Sequence, residues 1–187
     1  MKKYLGFIML LALGSCSMYT PQTQMLPQHI KRVAIRQIVN ETQYFGLEDK
    51  LTTKITDEFV RDGRLTITNE ENADGAVAAK ITYYSLQPLT FGANFEPQQY
   101  KLRVLLNLYF VDKVANVTLW EEPSLEGTLI YNSTTITDGK TEEEAREIVW
   151  ADLAQKILTR TIQGFGSVSG ISEKKVPKSA QETGTNP

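Results

Sequence analysis

The chain has 187 residues, of which 41% are hydrophobic and 22% are charged, and its formal net charge is −2. This composition is typical of an ordinary globular domain that is large enough to bury a hydrophobic core. The slightly acidic balance lacks the concentrated basic excess of nucleic-acid binders, so we expect no nucleic-acid partner.

The N-terminus has the organisation of a bacterial secretion signal. A basic start is followed by an apolar run over residues 4–13, which is far shorter than the roughly 20 residues of a bilayer-spanning helix. Gly14 and Ser15 then precede Cys16, the only cysteine of the chain. This order is similar to the lipobox of bacterial lipoproteins, which implies cleavage after residue 15 and lipidation of Cys16. An ordinary signal peptide with an incidental cysteine is the alternative.

The residues on either side of the central segment predict an anchor, a tether and a tail. Several acyl chains on Cys16, at about 0.8 kcal/mol per buried CH₂, would hold the protein durably at a membrane. Ser17 follows the cysteine, and similarity to lipoprotein sorting rules implies the outer membrane, because Asp at this position is the usual retention signal. We expect a signal peptide over 1–15, a lipidated tether over 16–29, a folded domain over 30–165 and a disordered tail over 166–187.

The first half of the central segment predicts a strand, a helix and another strand. Residues 31–39 are rich in β-branched side chains, which favours a strand. Four apolar residues then recur four apart, which predicts an amphipathic helix that ends at Gly63; they are Leu47, Leu51, Ile55 and Phe59. After the short segment "RLTIT", residues 76–86 alternate and predict a strand that ends at Pro88.

The second half begins with the clearest alternation in the sequence. One side carries Leu102, Val104, Leu106, Leu108 and Phe110, and the other carries Lys101, Arg103, Leu105, Asn107 and Tyr109. A further strand over 118–133 contains Pro123, which predicts a bulge, an edge position or a break. Thr141 and Glu144 form a capping box at the start of a final helix. We expect its buried stripe to contain Ala145, Ile148, Val149, Leu153, Ile157 and Ile162.

The order of these elements, β-α-β-β-β-α, predicts the fold class. It favours an α+β two-layer sandwich in which two helices pack on one face of a mainly antiparallel sheet of about four strands.

Groups for catalysis are scarce. His29 is the only histidine and lies in the predicted tether, where we expect a solvated side chain. With Cys16 lipidated, no thiol remains as a nucleophile, and no Cys/His cluster has the spacing of metal ligands, so we expect neither a metal nor a cofactor. A two-carboxylate hydrolase is the remaining enzymatic alternative, although residues 142–144 are better explained by a helix N-terminus. We therefore expect a protein that is not an enzyme.

A sheet face offers a more specific candidate. If the apolar sides of the strands face the helices, the opposite side carries cations and aromatics, namely Lys80, Thr82, Tyr84, Lys101, Arg103, Asn107 and Tyr109. Lys and Arg head groups bind phosphates and carboxylates, while their stems and the tyrosines cover apolar matter. Lys80, Lys101 and Arg103 are therefore the candidate residues for an anionic ligand. A merely solvated face is the alternative.

The motifs together resemble the LptE family, the lipopolysaccharide-assembly lipoproteins of the Gram-negative outer membrane. The most specific segments are "GLED…LT…DEFVRDGRL" and the final "TEEEA…DLA…IL.RT" helix. The resemblance implies two helices on a sheet of about four strands. It also implies a non-catalytic plug and assembly partner of the LptD β-barrel that binds lipopolysaccharide on its way to the outer leaflet. A periplasmic lipoprotein adaptor that activates a cell-wall synthase or a secretion pore is the alternative.

Overall fold

The computed structural model describes residues 26–163 of the chain. Its strands and helices are β1 (Arg32–Ile35), β2 (Val39–Asn40), α1 (Leu47–Asp62), β3 (Thr66–Ile67), β4 (Gly75–Phe91), β5 (Pro97–Asp112), β6 (Val117–Asn132) and α2 (Glu142–Gln163). The predicted signal peptide, Cys16, most of the predicted tether and the predicted tail lie outside the described residues.

The strands form one mixed sheet with the order β3-β1-β4-β5-β6, and β2 pairs with β4 on the same side as β1. β1 is parallel to β3 and β4, whereas β5 is antiparallel to both β4 and β6. The α+β class is therefore confirmed, but the prediction of a mainly antiparallel sheet of about four strands is partly wrong. The predicted first strand is split into β1 and β2, and "RLTIT" adds β3. The crossover through α1 makes their pairings parallel.

α1 forms as its sequence pattern predicts. Its four apolar residues are all buried and face the core. Gly63 follows the last turn with a left-handed φ of 73°, and its N–H donates to the carbonyl of Phe59 at 3.1 Å. A glycine takes this conformation without the steric cost that a Cβ would impose, so Gly63 ends the helix.

α2 begins at the predicted capping box. The Glu144 N–H donates to Thr141 Oγ1 at 3.2 Å, and the Thr141 N–H donates to Glu144 Oε2 at 2.7 Å. The buried stripe is wider than predicted because α2 packs against both the sheet and α1, and it contains Ala145, Val149, Trp150, Leu153, Ala154, Ile157, Leu158 and Thr161. The prediction for Ile148 is wrong, since this residue is 42% exposed, and Ile162 is only partly buried.

β4 contains an irregularity that changes which side chains share a face. The register with β5 shifts between Ile81 and Tyr83, so the extra residue Thr82 reverses the alternation beyond it. Tyr84 consequently lies opposite Val104 and is buried on the helix side. The prediction that Tyr84 shares a face with Lys80 is wrong, and Tyr83 takes that position instead.

Two prolines lie within strands that continue past them. The prediction that β4 ends at Pro88 is wrong. Pro88 pairs with Tyr100, and the strand continues to Phe91. β6 lies at the edge of the sheet and contains Pro123 within a register shift, next to Ser124 with a φ of 58°. Of the three alternatives predicted for Pro123, a bulge and an edge position are both found and a break is not. At a bulge or an edge, a residue without an N–H costs no hydrogen bond of a central ladder.

Candidate functional site: the open face of the sheet

The open face is the side of the sheet that faces away from α1 and α2. Along β5, the apolar set from Leu102 to Phe110 is fully buried against the helices, while the alternate residues stay half-buried. Register places Tyr83 and Ser85 of β4 and Glu126 and Thr128 of β6 beside these half-buried residues. The open face contains Lys80, Tyr83, Ser85, Lys101, Arg103, Leu105, Asn107, Tyr109, Glu126, Thr128 and Ile130.

Arg103 is held by a carboxylate from the neighbouring strand. Its Nε lies 2.8 Å from Glu126 Oε1, and its Nη2 lies 3.4 Å from Glu126 Oε2. This hydrogen bonding raises the pKa of Arg103 and lowers the pKa of Glu126. The two side chains are 42% and 40% exposed, so the pair lies at the surface and contributes little net stability.

The charges of two further cations act on the same carboxylate. Lys101 and Lys156 both lower the pKa of Glu126 through their charges, after the larger effect of Arg103. Lys156 belongs to α2, and its Nζ donates to the backbone carbonyl of Glu126 at 2.9 Å. We call Lys101, Arg103, Glu126 and Lys156 the Glu126 cluster. It surrounds the edge strand β6 from the open face to the helix side.

Lys80 forms a separate site. Its Nζ lies 2.7 Å from Glu41 Oε1, and this hydrogen bond raises the pKa of Lys80. Lys80 pairs with Asn107, which is four residues from Arg103 along β5, a separation of about 13 Å. The structure thus brings Lys101 and Arg103 together and places Lys80 apart from them.

The cations of the open face have apolar neighbours. Ile130, opposite Lys101, is 54% exposed, and Tyr83 is also exposed beside the half-buried Leu105. A surface that combines cations with exposed aromatic and aliphatic groups suits a ligand that is both anionic and amphipathic.

Sequence reasoning missed the carboxylates that accompany the candidate cations. Alternation in the segment "LEGTLI" was a usable signal for Glu126, since it places Glu126, Thr128 and Ile130 on one side. No such signal existed for Glu41, because its approach to Lys80 depends on the pairing of β2 with β4.

One end of the domain is unusually apolar. The β4–β5 hairpin exposes Leu89, Phe91 and Phe95, and the loop before α1 exposes Tyr44 and Phe45, with Phe95 and Phe45 87% and 93% exposed. The Tyr44 and Tyr84 rings lie 4.8 Å apart, which places the loop beside the emerging hairpin. We call these five residues the hairpin end. Exposed large apolar side chains on this scale are typical of interaction surfaces.

The chain enters the fold at the opposite end. His29 Nε2 lies 2.8 Å from Oδ2 of Asp112, which is buried at the end of β5. Asp112 Oδ1 also accepts the N–H groups of Val114 and Ala115. His29 is therefore half exposed but paired, and the expectation of a purely solvated side chain is wrong. Leu26 already packs against the core, so ordered packing begins before residue 30.

Within residues 26–163, no three His, Cys, Asp or Glu side chains are grouped so that they could hold a metal ion. Neither α1 nor α2 combines the length and the apolarity that a membrane-crossing helix needs.

Solved structures with a similar fold come from several bacteria. A hypothetical protein, CT253, from Chlamydia trachomatis gives a TM-score of 0.51 at 10% identity, over 73% of this chain and 98% of that one, and supports the fold. A minor lipoprotein from Acinetobacter baumannii gives 0.47 at 18% identity, over 71% and 90%. The rare lipoprotein B from Shewanella oneidensis gives 0.42 at 13% identity, over 67% and 91%. No match is found among curated proteins.

A family model provides the assignment. The model described as "LptE: Lipopolysaccharide-assembly" matches residues 30–161, which include α1, all but the last two residues of α2 and every strand of the sheet. The family is non-enzymatic, so the expectation that this protein is not an enzyme is confirmed. The chain belongs to the LptE family of lipopolysaccharide-assembly lipoproteins.

Proposed function

We propose that this protein is an outer-membrane lipoprotein that acts as plug and assembly partner of an LptD-type β-barrel and binds lipopolysaccharide during transport to the outer leaflet. The observation that carries the proposal is the family match over residues 30–161. The protein uses no catalysis. It works by occupying a lumen and by contacting an anionic glycolipid.

The anchor in this proposal is a lipid on Cys16. The lipobox-like residues end there, and no other thiol exists in the chain. Fully extended, the residues from Cys16 to Leu26 span at most roughly 35 Å. The anchored domain therefore stays close to the periplasmic surface of the outer membrane, where it can meet a barrel.

The hairpin end supports the plug role. Its exposed apolar side chains gain stability when a partner covers them, at about 25 cal/mol for each Å² of apolar surface buried. The chain enters the domain at the other end, beside His29 and Asp112. Because the two features lie at opposite ends of the domain, the hairpin end can enter a lumen while the anchored end remains at the opening.

The open face supports the lipopolysaccharide role. Phosphate groups of the glycolipid accept charge-assisted hydrogen bonds from Arg103 and Lys101, while Tyr83 and Ile130 offer contact to the less polar parts of the ligand. The sequence-derived candidates Lys80, Lys101 and Arg103 remain the proposed residues, with Lys80 as a separate contact.

Crosslinking in native outer membranes tests the barrel partner. We expect an LptD-type barrel as the dominant crosslinked protein, and we expect changes of Phe91 and Phe95 to Ser to reduce its yield more than a change of the exposed Val114 to Ser. A penicillin-binding protein or a secretion pore as the dominant partner would instead support the adaptor alternative.

Mass spectrometry of the mature protein tests the anchor. We expect a triacylated N-terminal peptide that begins at Cys16, and we expect Cys16→Ser to leave the fold intact while displacing the protein from the outer membrane. An unmodified thiol, or an N-terminus elsewhere, would refute the anchor.

A further inference from the structure

We propose that Glu126 is a displaceable internal anion, whose carboxylate occupies the position at which a phosphate group of the ligand binds. The inference rests on the proposed lipopolysaccharide binding and deepens it by naming the residue that competes with the ligand. The shared chemistry is a phosphate group, whether it is carried by a lipid or free in solution as inorganic phosphate.

The charges of the Glu126 cluster mark an anion position. Lys101, Arg103 and Lys156 bring three positive charges to one carboxylate. Asp152 also approaches Lys156, at 2.6 Å, but along the helix surface. Within residues 26–163, Lys101 forms no ion pair, so the cluster keeps uncompensated positive charge beside a carboxylate that already fills the centre.

The geometry of Arg103 suits exchange of one anion for another. Its Nε and Nη2 contact the two oxygens of Glu126. The same planar fork binds two oxygens of a phosphate group. A phosphate that replaces the carboxylate therefore gains these contacts and adds the approach of Lys101, two residues along β5 and about 7 Å away.

Displacement requires only a side-chain movement. Lys156 holds the backbone carbonyl of Glu126 at 2.9 Å, so the edge strand stays in place when the carboxylate turns outward. Arg103 and Glu126 are each exposed by about two fifths. An exposed ion pair of this kind favours the paired arrangement over the separated one by less than about fivefold. The Lys80–Glu41 pair differs, because the Lys80 side chain is only 26% exposed.

The consequence is a site that binds and releases. When the ligand leaves, Glu126 returns to Arg103, so the vacated cation is never without an anion. This internal competition lowers affinity, which is useful to a protein that must pass its ligand on.

Removal of the carboxylate tests the inference in the full-length protein. We expect Glu126→Gln to tighten binding to vesicles that carry lipopolysaccharide by about two- to fivefold at low salt. The matched control is Glu143→Gln, which removes another exposed carboxylate, paired with Lys50 and Arg146 on the helix side, and should leave affinity unchanged. The gain should disappear when Arg103→Ala is added. A second arm titrates inorganic phosphate at millimolar concentration and follows the Arg103 Nε–H signal by NMR.

The outcomes separate the inference from the proposed function. If the wild-type protein binds lipopolysaccharide and Glu126→Gln leaves affinity unchanged or lowers it, the inference is overturned and the proposed function stands. A gain that persists with Arg103→Ala also overturns it, because general charge would explain the result. If the wild-type protein does not bind lipopolysaccharide, its proposed binding role fails. The phosphate arm then decides the inference, which is overturned if Glu126→Gln gives no gain there.

Discussion

The two faces of β5 are built from alternate residues of one strand, yet they have different physical roles. On the helix side, the residues from Leu102 to Phe110 are fully buried and form the centre of the core. On the open face, Arg103 and its neighbours along β5 are only partly buried, and Arg103 contacts a charged partner on the adjacent strand. Burial of apolar surface dominates stability, whereas exposed ion pairs contribute little. Stability and ligand binding should therefore be separable along a single strand.

Truncation of two adjacent leucines gives the largest expected contrast. Leu106 is fully buried, so Leu106→Ala should lower the free energy of unfolding by about 2–5 kcal/mol. Leu105→Ala, at the neighbouring position on the open face, should lower it by less than about 1 kcal/mol, because Leu105 is only partly buried. Urea unfolding with unchanged m-values measures both. Equal losses would show that the open face is also covered in the isolated protein.

Overpacking beneath α2 gives the next effect. A Cβ on Gly127 would lie 2.7 Å from Leu153 Cγ and 2.8 Å from Val149 Cγ1, so Gly127→Val should lower the free energy of unfolding by about 1–3 kcal/mol. The control Ile130→Val, on the exposed side of the same strand, should change it by less than about 0.5 kcal/mol. Thermal unfolding of both variants checks the contrast, and a neutral Gly127→Val would place α2 farther from β6.

Loss of the open-face cations should affect binding and not folding. We expect the combined change of Lys80, Lys101 and Arg103 to Ala to weaken lipopolysaccharide binding at least tenfold, or about 1.4 kcal/mol, and more at low salt than at high salt. The control removes three cations from α1, namely Lys50, Lys54 and Arg61, and should retain most of the affinity. Tight binding that survives the open-face change would contradict these site residues but not the family.

The smallest effect concerns Tyr84, which the bulge at Thr82 moves to the buried side. Its hydroxyl donates to Glu142 Oε1 at 2.5 Å, and Tyr84→Phe should cost about 1 kcal/mol near pH 7. Burial, followed by this hydrogen bond, raises the pKa of Tyr84. Its stabilising contribution is therefore complete below about pH 10, the value of a free tyrosine, and is lost as pH rises toward the folded pKa.

Urea unfolding at pH 7 and above pH 10 measures this difference. Tyr84→Phe should show a shallower alkaline loss of stability than the wild type. Burial also raises the pKa of Tyr109 and Tyr131, so a residual slope remains. Identical alkaline slopes in the two proteins would contradict the role of Tyr84.

Local features of this fold were predictable from the sequence, because their causes lie within a few residues. The end of α1 at Gly63, the capping box of Thr141 and Glu144, and the two sides of β5 all depend on short-range geometry. The reversal at Thr82 was not predictable, since a bulge is defined by the partner strand. The contact of His29 with Asp112 spans 83 positions and leaves no sequence pattern.

The same dependence on strand register limited how much of the candidate site the sequence could predict. Alternation placed Lys101 and Arg103 on one face, and the structure agrees. It could not reveal that Arg103 of β5 contacts Glu126 of β6 diagonally, or that Lys80 contacts Glu41, because both contacts require knowledge of strand pairing. Ionic partners on a sheet are a property of the assembled strands.

The entry of the chain beside Asp112 also has a mechanical meaning. Tension on the N-terminal side of the domain first loads the packing of Leu26, and then the contact between His29 and Asp112 and the packing of Ile30. Beyond these, force reaches β1, which lies between β3 and β4 and is parallel to both. A pull along β1 shears its hydrogen bonds to two neighbours together, whereas a pull across an edge strand would open them one at a time. The domain is thus attached at a point that resists unravelling when its anchor and its partner move apart.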